Sequence, residues 1–185
     1  MAIFFHGTSA LFSEFDLSHA LEGDGKVKFG YGVYLTCSFK SAALYSGANK
    51  TATEHYVYTV EIPDLTDDNH IDFKKPVPPD IVGRAENKLG FSIPDNFISY
   101  GKDFRKYLAK KLGGGSDIDS EKLASEFLNA IGVEFITWPF NWKKPEAGLN
   151  LAVLDAGKIN IVKIQDVKLD TGKRLLPGSE REVSP

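Results

Sequence analysis

The chain has 185 residues, of which 42% are hydrophobic and 25% charged. This size and composition are typical of one globular domain and suggest neither a disordered nor a membrane-embedded class. The net charge of −3 gives no global attraction to nucleic acid or to an anionic membrane, although a local basic patch remains possible. Cys37 is the only cysteine, which excludes an internal disulfide and a cysteine-based zinc site.

The first 50 residues predict two short strands and a helix. The apolar run AIFF is β-prone and leads into His6, and a second strand, GVYLT, follows at 32–36. Between them, residues 10–32 are rich in Gly, Ser and Asp and indicate an irregular loop. A helix follows in SFKSAALYSGANK, with Ser38 as its N-cap and Gly47 at its end.

Strand and helix signals then alternate along the rest of the chain. HYVYTVEIP at 55–63 alternates and predicts a strand with one buried face, whereas residues 67–80 are rich in turn formers. From about 80 to 131 the pattern is helical, and the last of three predicted helices has Asp119 or Ser120 as its N-cap. The remaining predicted strands are VEFIT (133–137), LNLAVL (149–154) and KINIVKIQDVKL (158–169).

These elements predict an α+β fold. We expect one domain over residues 1–170, with a helical insertion at about 80–131 and a loose C-terminal tail over 171–185. No apolar stretch reaches membrane-spanning length and no signal-peptide pattern is present. We therefore expect no membrane association, and a protein that is cytoplasmic or delivered into a target cell.

Two features carry candidate chemistry near the N-terminus. His6 ends a strand and is followed by Gly7, a residue that lets a ligand approach the backbone closely. Downstream, a Gly-Tyr-Gly turn leads into a strand carrying Tyr34, and a helix carries Tyr45, with ten residues between the two tyrosines. Two such tyrosines could enclose a flat ring, or they could be ordinary amphipathic core aromatics.

Together these motifs, FFHGTS, FGYGVYLT and SAALYS, resemble the ADP-ribosyltransferase fold of the His-Tyr-Glu type. That family includes diphtheria-toxin-like toxins and poly-ADP-ribose polymerases, and the likeness is strongest to compact bacterial toxin and phage versions. It covers residues 3–48, with a weaker echo at 130–165. The resemblance implies a split β-sheet core and binding of NAD by His6, Gly7, Thr8, Tyr34, Thr36 and Tyr45.

The family's third motif, a glutamate on a late strand, is replaced here. Alignment of GLNLAVLDAGKINIV with the family's usual ending puts Asn150 at the glutamate position. The resemblance implies that this residue accepts a hydrogen bond from a ribose hydroxyl, which Asn can do without supplying negative charge. Three interpretations stay open: Glu146 supplies the charge, Asn150 serves a different transfer chemistry, or the protein binds NAD without cleaving it.

Two other clusters allow both a functional and a structural interpretation. Residues 137–148 hold Trp138, Trp142, Lys143 and Lys144, which suit a target-binding loop or a turn plugged by core tryptophans. The basic run KDFRKYLAKK at 102–111 is typical of a solvated helix face, with a nucleic-acid patch as the alternative.

The sequence as a whole predicts an NAD-dependent mono-ADP-ribosyltransferase that modifies a macromolecule as a toxin or effector. The catalytic candidates are Asn150, Glu146 and Tyr34. NAD is the expected substrate, a protein or nucleic acid the acceptor, and an antitoxin or immunity protein a possible partner. The histidines have no ligand spacing, so no metal is expected. The alternatives are an NAD glycohydrolase and an inert module that binds NAD or ADP-ribose.

Overall fold

The computed structural model describes residues 1–19 and 27–185, so part of the predicted loop at 10–32 lies outside the described residues. The described chain forms a mixed α+β fold in which one eight-stranded sheet carries four α-helices. The strands are β1 (Ala2–Thr8), β2 (Val33–Thr36), β3 (Tyr56–Ile62), β4 (His70–Asp72), β5 (Phe135–Pro139), β6 (Leu149–Val153), β7 (Asn160–Asp166) and β8 (Arg181–Val183). The helices are α1 (Phe39–Ser46), α2 (Pro79–Leu89), α3 (Gly101–Gly113) and α4 (Ile118–Ala130).

The sheet order is β4-β5-β6-β2-β1-β3-β7-β8, and every neighbouring pair is antiparallel except β4 with β5. Strand pairing is extensive within each half of the sheet, but few residues pair at its centre. β1 pairs with β3 along its whole length, from Ala2 to Thr8, whereas β1 and β2 share a single register pair, Phe5 with Thr36. The sheet therefore consists of two four-stranded halves that meet at a narrow seam.

Both faces of the sheet are apolar, and strand alternation assigns residues to each. One face carries Ile136, Ala152 and Leu154, which pack with the buried residues of α2, α3 and α4. On the same face, α1 packs through Ala42 and Ala43. The opposite face carries a second core, built from Phe4, Val33, Leu35, Tyr58, Val60, Phe135, Leu151 and Val153 with loop residues such as Phe12 and Phe15.

Local signals in the sequence set the ends of the helices. The Ser38 side chain caps α1 by accepting the Ser41 backbone N–H, and Gly47 ends the helix, as predicted. The cap of α4 is Asp117, whose side chain accepts the Ser120 N–H, so the predicted Asp119 or Ser120 cap is wrong by two or three residues. Asp117 is the first residue in this stretch whose carboxylate reaches a free N–H of the first turn.

Two strands lie where turn or tail was predicted. The turn-rich stretch 67–80 contains β4, which pairs in parallel with β5. The C-terminal tail is not loose, because β8 pairs with the edge of β7 from Asp166–Arg181 to Ile164–Val183. Both strands have three residues, too few for hydrophobic alternation to be visible in the sequence.

Candidate functional site

The candidate site lies at the seam, where β1, β2 and β6 run side by side. Thr36 on β2 is the register partner of Phe5 on β1 and of Asn150 on β6. Neighbouring strands lie about 4.8 Å apart, so residues from positions 5, 36 and 150 meet within roughly two strand spacings. The fold thereby brings the His6-Gly7 segment, the Tyr34 strand and the Asn150 strand together.

Tyr34, Thr36 and Asn150 share the helical face of the sheet. Tyr34 pairs with Ala152 and Thr36 with Asn150, so alternation points their side chains to the face that carries the helices. On that face α1 packs with Val57 of β3, while α3 and α4 pack with Ile136 and Ala152 of β5 and β6. In the sheet, β2 lies between the strands that carry these two groups of helices.

The Tyr34 side chain is held firmly by its surroundings. Its hydroxyl donates to the Gly30 carbonyl and accepts the Phe29 backbone N–H, both at 3.0 Å. Its ring meets Trp138 edge-on with centroids 5.4 Å apart. Burial raises the pKa of Tyr34, so the hydroxyl stays protonated at neutral pH.

Asn150 presents a buried oxygen that no described residue satisfies. Its side-chain Oδ1 is inaccessible to solvent and has no hydrogen-bond partner among the residues that the structure describes. A buried acceptor without a donor costs about 1–3 kcal/mol. Such a group calls for an explanation, which for this oxygen is either a catalytic role or a donor that the protein itself does not supply.

His6 contributes from the other side of the seam. Strand alternation points its ring to the face opposite Tyr34, where it meets Phe15 and Tyr58 edge-on. Its Nδ1 lies 2.9 Å from the Tyr34 carbonyl oxygen and must donate, because a carbonyl only accepts. Burial lowers the pKa of His6, and the neutral ring with a proton on Nδ1 leaves Nε2 as an acceptor.

Gly7 is required by close packing of β1 on α1. A Cβ built on Gly7 would lie 1.7 Å from the Ala42 carbonyl oxygen. The backbone of α1 therefore rests directly on the strand at this position. Of the neighbouring threonines, Thr8 accepts the Ala10 N–H and Thr36 accepts the Ser38 N–H, so both hydroxyls shape local turns.

Tyr45 and Glu146 lie on exposed surface. Tyr45 is 57% exposed on α1, and no ring contact joins it to Tyr34 in the described chain. Glu146 lies in the short turn Pro145–Ala147 before β6 and forms no ion pair with any residue of 1–19 or 27–185. The structure thus brings Tyr34, Thr36 and Asn150 onto one face but leaves Glu146 outside it.

Arg105 is a neighbour of the site that the sequence analysis missed. It lies in the basic run of α3 but is only 2% exposed, forms a buried ion pair with Glu121 and donates to the Lys28 carbonyl at 3.3 Å. Its guanidinium also lies 5.5 Å from the centre of the Phe73 ring. Burial lowers the pKa of Arg105 to about 10, so it stays charged at neutral pH. The sequence did contain a signal for this burial, because on the helix Arg105 lies on the side of Phe104 and Leu108 and not on the side of the lysines.

Neither the concave surfaces near α2 nor a search for groups of metal ligands among the described residues indicates another site. Two open depressions, of about 550 and 490 Å³, lie against α2 and are bordered by Arg84 and Asn87. Arg84 is occupied there in bonding the backbone carbonyls of Ile131 and Asp68. In the described ranges no three His, Cys, Asp or Glu side chains gather as metal ligands, and no helix is long and apolar enough to cross a bilayer.

Comparison of the chain with protein-family models, curated proteins and solved structures gives no match.

Proposed function

We propose that the protein is an NAD-dependent mono-ADP-ribosyltransferase that modifies a macromolecule as a toxin or effector. The observation that carries the proposal is the buried, unpartnered Oδ1 of Asn150, on the same sheet face as Tyr34 and opposite Thr36. A ribose hydroxyl is the kind of donor this oxygen lacks. The segments that carry His6, Tyr34 and Asn150 are separated in the sequence but lie on three neighbouring strands at one seam, which adds support.

Each residue has a role that its environment suits. The backbone of Gly7 offers an N–H and a C=O to the nicotinamide amide, and Tyr34 and Tyr45 flank its ring. Asn150 accepts from the adjoining ribose, while His6, on the opposite face, holds the Tyr34 strand in place through the hydrogen bond from its Nδ1 to the Tyr34 carbonyl. In the reaction the C1′–N bond breaks with its electron pair leaving on nicotinamide, and an acceptor atom bonds C1′ and gives up its proton.

The neutral side chain of Asn150 sets a limit on this chemistry. A carboxylate at this position would stabilise the positive charge that develops on the ribose, whereas an amide offers only its dipole. Glu146 lies four residues earlier on an exposed turn, and rearrangement of that turn on acceptor binding would bring a carboxylate in. The neutral Asn150 also favours a second candidate function, a module that binds NAD or ADP-ribose without cleaving it.

Nicotinamide release and NAD binding together distinguish these functions. The protein is incubated with NAD, with and without cell lysate, and nicotinamide is quantified by chromatography while binding is measured by calorimetry. Release that requires lysate supports the transferase. Release without lysate indicates a glycohydrolase, and binding without release indicates the inert module.

Tyr45 offers a variant that tests the site without disturbing the core. Tyr45→Ala removes an exposed ring and should weaken NAD binding about 2- to 10-fold, the value of one aromatic stacking contact. The matched control is Tyr100→Ala, since Tyr100 is similarly exposed, at 51%, and lies directly before α3. Absence of NAD binding in the parent protein, or equal effects of the two variants, would refute the proposal.

A further inference from the structure

A stack of aromatic rings leads from the core to the surface beside the candidate site. Phe29 stacks on Trp138, with ring centroids 4.0 Å apart and ring planes at 7°. The ring of Trp142 continues the stack, with its centroid 6.4 Å from that of Phe29 and an angle of 21° between the planes. Phe73 closes the group, 5.0 Å from Phe29. We refer to Phe29, Phe73, Trp138 and Trp142 as the aromatic platform.

The platform has a buried end and an exposed end. Trp138 is 5% exposed and belongs to the helical core, whereas Trp142 is 46% exposed. Trp138 therefore fits the interpretation as a core residue, whereas Trp142 is exposed, as a target-binding loop requires. An exposed indole held against a buried stack presents a flat apolar face at low entropic cost.

One lysine, Lys74, lies against the exposed end, and four others belong to the segments that form the platform. The described segments 27–29, 72–75 and 138–146 form the platform. They carry exposed lysines at positions 28, 74, 75, 143 and 144, and two acidic residues, Asp72 and Glu146. Five positive and two negative charges give +3 in these segments, against −3 for the whole chain. Asp72 accepts the Lys74 N–H and lies 3.8 Å from Lys75, so one of the two negative charges is already engaged within these segments.

The platform is joined directly to the candidate site. The backbone N–H of Phe29 donates to the Tyr34 hydroxyl, and Trp138 is the register partner of Asn150. The loop that carries Trp142 connects β5 to β6, and its two ends are tied by the Phe140 N–H to the Gly148 carbonyl. A molecule lying on Trp142 would therefore be close to the place where transfer is proposed to occur.

We propose that the aromatic platform and its lysines bind a single-stranded segment of nucleic acid, which is the acceptor. A base stacks on Trp142 and the phosphates on either side pair with the lysines. The Lys74 ammonium lies 4.9 Å from the Trp142 ring centre, and a stacking base displaces it toward a phosphate. The binding surface stands on its own observations, while its role as acceptor site rests on the proposed function.

Single strands fit this surface better than duplex or protein. Bases in a duplex are stacked on one another and cannot offer a face to Trp142, whereas unpaired bases can. Acidic peptides would satisfy the lysines but would leave the indole face without a flat partner. The combination of one exposed ring with clustered lysines therefore favours unpaired nucleotides.

Binding is tested without NAD, by fluorescence anisotropy with labelled 12-nucleotide RNA and DNA strands of mixed sequence. Trp142→Ala should weaken binding about 5- to 150-fold, the effect of losing one stacked base, and Trp142→Phe should restore most of it. The double variant Lys143→Ala/Lys144→Ala should lower the slope of log K against log salt by about 1.4, or about 0.7 for each phosphate contact. The charge-matched control, Lys106→Ala/Lys110→Ala on α3, should leave the slope unchanged.

Three results would overturn the proposal. These are no binding of either strand at low salt, equal binding of duplex and single strand with no effect of Trp142→Ala, and tighter binding of an acidic peptide. Failure of the proposed function gives a different result. Oligonucleotide binding that depends on Trp142, in a protein that neither binds nor cleaves NAD, leaves the surface intact and removes only its acceptor role.

Discussion

Replacing Asn150 by leucine separates the effect of this residue on stability from its role in the proposed reaction. The Oδ1 of Asn150 is buried and unpartnered among the described residues, so folding removes it from water without compensation. Leucine keeps the branching of the side chain and replaces the polar atoms with methyl groups. We expect Asn150→Leu to fold more stably than the parent while losing any NAD cleavage.

The magnitude follows from the burial of that one oxygen. An unsatisfied buried acceptor costs about 1–3 kcal/mol, and the larger volume of leucine takes back part of the gain where Asn150 packs beside Thr36 and Trp138. The net expectation is an increase of about 1 kcal/mol in the free energy of unfolding. For a chain of this length that corresponds to a rise of about 2–4 °C in Tm.

Urea unfolding followed by tryptophan fluorescence measures the effect, with Asn69→Leu as the matched control. Asn69 is also partly buried, but its amide accepts the Thr66 N–H at 2.8 Å and donates to the Asp64 carbonyl at 2.9 Å. Loss of two satisfied hydrogen bonds should destabilise the protein by about 1–3 kcal/mol. The two variants should therefore shift the midpoint in opposite directions.

A loss of 1 kcal/mol or more in the free energy of unfolding of Asn150→Leu would contradict an unsatisfied oxygen at this position. It would mean that the amide of Asn150 makes structural hydrogen bonds, and the argument for a ligand donor at this oxygen would then fail. Nicotinamide release by the leucine variant at the parent rate would separately refute the assignment of Asn150 to the reaction.

Three further predictions concern the supports of the site. Gly7→Ala should cost about 1–3 kcal/mol or more in urea unfolding, because its Cβ would lie 1.7 Å from the Ala42 carbonyl oxygen and α1 would have to move; an unchanged midpoint would contradict this packing. Burial holds the pKa of His6 below its ordinary value, so on acidification the unfolded chain takes up a proton that the folded chain does not. The free energy of unfolding should therefore fall as pH drops below about 6.5, by at most about 1.4 kcal/mol per pH unit. That slope should flatten in His6→Gln, and equal slopes in both proteins would count against it. Glu121→Gln leaves Arg105 charged and unpaired in the core and should cost about 3–5 kcal/mol, whereas a loss below 1 kcal/mol would show that the pair is open to water.

Local chemistry made much of the fold predictable from sequence. The cap at Ser38 and the stop at Gly47 each depend on contacts within one helical turn of that residue, and both are confirmed. The alternation of Tyr56, Tyr58, Val60 and Ile62 also predicted a buried face of β3 correctly. Each of these signals is contained in a window of ten residues or fewer.

Features that depend on distant packing could not be predicted in this way. Val57 is fully buried as well, because α1 covers the second face of β3. Arg105 was assigned to a solvated face, since a basic run gives no sign of the Glu121 partner on another helix. The edge strand β8 was predicted as tail because its pairing with β7 is a tertiary contact.

The candidate site shows the same division. The positions of His6 and Tyr34 on neighbouring strands followed from their motifs, but their placement on opposite faces depends on the parity set by the Phe5–Thr36 pair. The buried oxygen of Asn150 and the ring of Phe29 beside Tyr34 are products of the folded sheet. Sequence alone offered no signal for either.

The seam between β1 and β2 gives the molecule a line of mechanical weakness. One register pair and the His6–Tyr34 hydrogen bond join two half-sheets, each of which is well paired internally. Amide protons along the seam should therefore exchange by small openings, while those of β3 and β6 await larger unfolding. Any ligand that contacts both half-sheets would stabilise the seam. Slower amide exchange along β1 and β2 would then detect ligand binding even in the absence of catalysis.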